Sequence, residues 1–80
     1  MFPCEYLIRI IGHRQLNFRA TVLRIVREHA PEFEEENVTV RDSRDGGYCS
    51  VRVTIVATGE PQLRALHQAL MDEPSVKLVL

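Results

Sequence analysis

Eighty residues make one domain, and a composition of 45% hydrophobic and 26% charged residues excludes a disordered or fibrous chain. The net charge of −1 argues against a dedicated, strongly basic nucleic-acid binder. No apolar run approaches the roughly 18 residues of a membrane span, and "MFPCEY" lacks the basic start and long apolar stretch of a secretory signal, so a cytoplasmic protein with no membrane partner is expected.

The first element is a strand, "CEYLIRIIG" (4–12). It is rich in β-branched residues and ends in glycine, with Tyr6, Ile8 and Ile10 alternating with Leu7, Arg9 and Ile11. "NFRATVLRIVREHAP" (17–31) then changes to helical period. Phe18, Val22, Ile25, Val26 and His29 form its stripe, Asn17 is placed to cap it, and Pro31 ends it. The acidic "EFEEEN" (32–37) reads as a solvated connector. "VTVRDSR" (38–44) and "YCSVRVTIVA" (48–57) are two further strands, joined by a glycine-rich turn at 45–47 that needs positive φ angles. "TGEPQLRALHQALM" (58–71) is a second helix with Pro61 in its first turn and an apolar stripe of Leu63, Leu66, His67 and Leu70. "SVKLVL" (75–80) is a last short strand.

The order βαββαβ contains two crossovers, and right-handed crossovers interleave into a four-stranded antiparallel sheet. The expected architecture is α+β, a ferredoxin-like sandwich of order 4-1-3-2 with both helices on one face, in a single domain spanning 1–80. Cys49, Val51, Val53, Ile55 and Ala57 form a wholly apolar set that belongs under the helices. The matching sets are Tyr6, Ile8 and Ile10; Val38 and Val40; and Val76, Leu78 and Leu80. The open face then carries Leu7, Arg9, Arg41, Tyr48, Arg52 and Lys77, with Ile11, Val56 and Val79 among them and Glu5 as its acid. That face is a candidate interaction surface.

A second candidate site is the stretch "GHRQLNFR" (12–19). A helix N-terminus presents unpaired N–H groups and partial positive charge, and arginines flank this one. Arg14 and Arg19 there would favour a small carboxylate or phosphate, the alternative being a plain strand-to-helix connection with Asn17 as its cap and two solvated arginines. The same stretch is only loosely like the phosphate loop of acylphosphatases. Leu16 stands where that loop needs glycine, and strand 3 offers no asparagine, so hydrolysis of acyl phosphates is not expected. No catalytic set, cofactor or metal site is expected. Cys4 and Cys49 open adjacent antiparallel strands at opposite ends, roughly 20 Å apart at ~3.3 Å per residue, too far for a disulfide. His13 and His29 lie at the two ends of one helix, about 18 Å apart at 1.5 Å per residue. RNA binding is disfavoured because Tyr48 alone offers a stacking ring where such sheets use several.

With the segments placed, the chain resembles the YbeD-like family of small bacterial proteins of unknown function. The resemblance is carried by "FPCEY" (2–6), "VLRIVREHAPEF" (22–33), the spaced residues of Ser43–Ala57, and "VKLVL" (76–80). It covers nearly the whole chain and implies a fold close to the ACT-type regulatory domains that bind amino acids in metabolic enzymes. In such domains small ligands sit near the loop after strand 1, the position of Gly12, Arg14, Asn17 and Arg19 here. The resulting expectation is a non-enzymatic regulatory or ligand-binding module. Its alternatives are a protein-interaction module using the open face and a weak RNA binder. A protein partner, a small anionic metabolite, or a second copy meeting a sheet edge or face all remain open as partners.

Overall fold

Alternating and helical periodicities become seven elements in the computed structural model, which describes residues 2–43 and 46–80. They are β1 (Cys4–His13), α1 (Phe18–His29), a 3-10 turn (Glu35–Asn37), β2 (Thr39–Asp42), β3 (Tyr48–Ala57), α2 (Glu60–Met71) and β4 (Val76–Val79). The sheet is antiparallel throughout, in the order β2-β3-β1-β4. This is the ferredoxin-like βαββαβ architecture, with the strand order read from the sequence.

The long central pair sets the core. β1 and β3 run in uninterrupted register from Cys4 opposite Ala57 to His13 opposite Tyr48. Partners across a sheet share a face, so Ile8 and Ile10 point inward with Val53 and Val51. Phe18, Val22, Ile25, Val26 and Ala30 of the first helical segment and Leu66 and Leu70 of α2 close over them, all buried. Full burial of such a side chain contributes about 1.5–3 kcal/mol, which makes this layer the main source of stability. Leu23 joins the buried set from beside the expected stripe.

Four residues expected under the helices are exposed instead: Tyr6, Val40, Leu78 and Leu80. Each has a local reason. Val40 faces the helix layer, but β2 packs mainly against β3 among the described residues, so Val40 is left open to a shallow hollow beside α1. Tyr6 lies on the rim of a groove beside Leu63 and His67, past the covered core. Leu80, the last residue, borders the same groove, and Leu78 follows from an irregularity in the β1–β4 ladder. Gly12 pairs with Val76, whereas Ile11 pairs with Leu78 and Ile10 with Val79. This bulge inserts one extra residue and reverses the faces beyond it. Val76 is buried as expected, but Leu78 turns to the open face and Val79 turns inward against the core.

Helix ends and connectors are tied more closely than periodicity implies. Asn17 precedes α1 without capping it by its side chain, while its carbonyl accepts the Thr21 N–H at 2.9 Å. Gln62 brackets the far ends of both helices. Its Oε1 accepts the Thr58 N–H at 2.8 Å, and its Nε2 donates to the His29 carbonyl at 3.0 Å. The acidic connector is only partly solvated. Phe33 packs against the core under the Arg27 guanidinium, 5.4 Å from its ring centroid, and the Val56 N–H donates to the Glu32 carbonyl at 3.1 Å. At the β2–β3 hairpin, Gly46 has φ of +76°, as the expected turn requires. Tyr48 N–H donates to Ser43 Oγ at 3.0 Å and Ser43 N–H to the Tyr48 carbonyl at 2.8 Å. Arg44 and Asp45, part of the expected strand and turn, lie outside the described residues.

Candidate functional site

The helix start is occupied by the protein's own groups. Gly12 is buried on β1, and a Cβ there would lie 2.2 Å from the Ser75 carbonyl oxygen and 2.4 Å from Phe18 Cε1. Packing alone therefore requires glycine. The backbone donors that an anion cradle would use are partly spent: His13 N–H donates to the Ser75 carbonyl at 2.8 Å, Arg14 N–H to the Gly47 carbonyl at 3.2 Å, and Phe18 N–H to the Gln15 carbonyl at 3.2 Å. The Arg14 guanidinium lies 3.5 Å from Asp42 Oδ2, and Arg19 lies 3.9 Å from Glu35 Oε2. Glu35 also pairs with Arg27. The segment borders a shallow depression of about 430 Å³, lined by Arg14, Leu16, Phe18, Arg19, Val40, Asp42 and Cys49. It brings Arg14 and Arg19 to one hollow, each facing a carboxylate, while Gly12 is in the packed interior. Leu16, where an acylphosphatase loop needs glycine, is fully exposed.

The open face has the opposite electrostatics. Successive cross-strand rows on it are Leu7 with Thr54, Arg9 with Arg52, Ile11 with Ser50, and His13 with Tyr48. Thr39 extends the arginine row on β2, and Arg41 extends the Ser50 row. Arg14, Arg19, Arg24, Arg27 and Arg64 each face a carboxylate. Among the described residues, the basic side chains that reach none are Arg9, Arg41, Arg52 and Lys77, and all four belong to this face. The one acid on the same face among the described residues is Glu5, opposite Val56 at its far end. The Tyr48 ring stacks on His13 at 5.6 Å between centroids, and Lys77 Nζ lies 6.0 Å above Tyr48. All six sequence-derived face residues, Leu7, Arg9, Arg41, Tyr48, Arg52 and Lys77, are thus brought together. Sequence reasoning missed the Tyr48–His13 stack, for which the only signal was the antiparallel register.

Cys49 is the buried one of two free cysteines, and Cys4 lies at the other end of the β1–β3 pair, opposite Ala57. Burial pushes the Cys49 thiol above its ordinary 9.0, the charge and hydrogen bond of Asp42 add to this, and Arg14 opposes it. A thiol held protonated is a poor nucleophile. Among the described residues no group of His, Cys, Asp and Glu is arranged to hold a metal. Among the described residues no helix is long and apolar enough to cross a membrane.

A family model described as a protein of unknown function, DUF493, matches residues 1–80. The chain is 44% identical over 79 residues to the UPF0250 protein NE1487 of Nitrosomonas europaea, covering 99% of this chain and 91% of that one. It is 38% identical over 79 residues to the UPF0250 protein of Chromobacterium violaceum, covering 99% and 89%. Two solved structures share the fold. The solution structure of protein HP0495 from H. pylori has a TM-score of 0.79 at 17% identity, covering 100% of this chain and 84% of that one. The crystal structure of the ACT domain from GTP pyrophosphokinase of Chlorobium tepidum has a TM-score of 0.71 at 16% identity, covering 96% and 97%.

Proposed function

The chain belongs to the DUF493 family of proteins of unknown function, and from that premise we propose that it is a non-enzymatic regulatory binding module that docks an acidic segment of a partner protein on its open sheet face. The observation that carries this is the division of its cations. Among the described residues, those on the helices and at the helix start face acids of the same chain, and those on the sheet face do not. Cations that reach no described carboxylate, set among Leu7, Ile11 and Leu78, suit a partner that brings both carboxylates and apolar side chains. The likeness to an ACT domain supports a regulatory role by fold alone. The helix-start hollow is the second reading, for a small anion, and its internal ion pairs weigh against it. A protein of this kind would work in the cytoplasm.

One amide-shift titration series separates the readings. Acidic amphipathic peptides should shift resonances on β1, β3 and β4, and Arg9→Glu with Arg52→Glu should abolish the shifts. Amino acids or nucleotides shifting Gly12–Arg19 instead would replace docking with ligand sensing. Binding of single-stranded RNA that weakens steeply with salt and needs Tyr48 would replace it with nucleic-acid recognition.

A further inference from the structure

Arg9 stands directly opposite Arg52 at the centre of the open face. Its N–H donates to the Leu80 carbonyl at 3.1 Å, and its carbonyl accepts the Leu80 N–H at 2.8 Å. Both main-chain groups of Arg9 therefore point toward Leu80 and none toward β3. The Arg9–Arg52 pair is of the non-hydrogen-bonded kind, in which side chains stand closest, with Cα atoms about 4.5 Å apart. Like charges in this position destabilise a sheet. Both arginines are half-buried, and neither reaches a carboxylate among the described residues. Their row-mates, Thr39 and Leu80, bring no side-chain charge. Glu5 is four residues along the strand, about 13 Å away at ~3.3 Å per residue. A sheet built only as scaffold gains nothing from this arrangement.

We propose that Arg9 and Arg52 form a seat for one dianionic oxyanion, a phosphoryl group, with Ser50 and Arg41 beside it. The proposal rests on the docking reading only in using the same face. Each guanidinium is a planar fork that donates two parallel N–H bonds to an oxyanion. A phosphate monoester has three terminal oxygens and close to two negative charges, which suit two forks and neutralise both. A carboxylate, with one charge, satisfies one fork and leaves the other facing a like charge. A phosphodiester also carries a single charge, so the seat favours a terminal phosphoryl group over a nucleic-acid backbone. The group can come from free phosphate, a small phosphorylated metabolite or a phosphorylated side chain, since all three present the same chemistry.

The test follows the arginine Nε–Hε resonances of the intact chain at fixed ionic strength, with inorganic phosphate, phenyl phosphate and acetate as probes. Phosphate and phenyl phosphate should shift Arg9 and Arg52 saturably, and acetate should need at least about tenfold higher concentration for the same shift. Arg9→Gln and Arg52→Gln should each weaken phosphate binding about tenfold or more, as loss of a charge-assisted fork implies. Each should also raise the melting temperature, because the opposed charge is gone, which separates loss of the seat from loss of the fold. Arg64→Gln, on α2, should change neither. Equal responses to phosphate and acetate, or a phosphate response that survives both glutamine variants, overturn the seat. A serine-phosphorylated acidic peptide that binds more tightly than free phosphate supports the seat with a protein source. Equal affinity supports it with a small-molecule source. Acidic peptides that need Arg9 and Arg52 while phosphate gives no saturable shift would refute the seat and leave docking standing. Phosphate binding without any acidic-peptide binding would do the reverse.

Discussion

Replacing Gly12 by alanine adds one methyl group where there is no space for it. The new Cβ would fall about 0.8 Å short of a 3.0 Å approach to the Ser75 carbonyl oxygen and about 0.6 Å short of one to Phe18 Cε1. Neither neighbour yields easily. The Ser75 carbonyl accepts the His13 N–H at 2.8 Å, and the Phe18 ring is among the largest fully buried side chains. The methyl must therefore push β4 off the sheet or lift the start of α1. Overpacking of a core costs about 1–3 kcal/mol, and a clash with backbone on one side belongs at the upper end. At about 4–8 °C per kcal/mol for a domain of this size, a 3 kcal/mol loss lowers the melting temperature by roughly 12–24 °C. Thermal and urea unfolding followed by circular dichroism measure this directly. Gly59→Ser is the control, because its Cβ would meet only Pro61 Cδ at an ordinary 3.6 Å and the backbone there is extended. It should melt within about 4 °C of the parent chain. If Gly12→Ala melted that close to the parent, close packing would not be what requires glycine at this position.

Gln62→Ala should cost about 1–2 kcal/mol, since it leaves the part-buried His29 carbonyl without its donor. Faster hydrogen exchange at Thr58 would accompany the loss, and an unchanged urea midpoint would remove the bracket's importance. Glu35→Gln should cost under about 1 kcal/mol despite breaking pairs to two arginines, because all three side chains are about half exposed. A larger loss that persists in molar salt would contradict this. Cys49 confers a pH dependence of definite sign. Its native thiol keeps its proton above the ordinary 9.0, while the unfolded chain's thiol ionises there, so the unfolded state binds fewer protons and stability falls as pH rises past about 9. Cys49→Ala should flatten that decline in urea midpoints measured at pH about 8 and 10, and an identical slope in the variant would refute it.

Much of the architecture was legible because the periodicities are clean. Cys49 to Ala57 alternates without a fault, Phe18 to Val26 keeps helical spacing, and Pro31 and Pro61 punctuate the helices where their geometry demands. The faces of the last strand were not legible. A bulge between Ile11 and Gly12 depends on how two distant segments meet, and alternation within 75–80 carries no trace of it. The candidate sites divided in the same way. Leu7, Arg9, Arg41, Tyr48 and Arg52 share a face by parity along single strands, whereas Lys77 joins them through the bulged ladder of the last strand. The state of Arg14 and Arg19 depends on Asp42 and Glu35, which only folding brings near, and two arginines that look available in sequence are engaged in space.

The uneven charge of the sheet face also bears on self-association. Arg9, Arg41, Arg52 and Lys77 against Glu5 leave that surface with a net charge of +3 among the described residues. Two copies meeting through this face across a two-fold axis would present the same surface to each other, so every register of such a homodimer opposes like net charge. The net charge of this face thus opposes pairing of two copies through it, whereas β2 and Val40, also exposed, carry no such like-charged row.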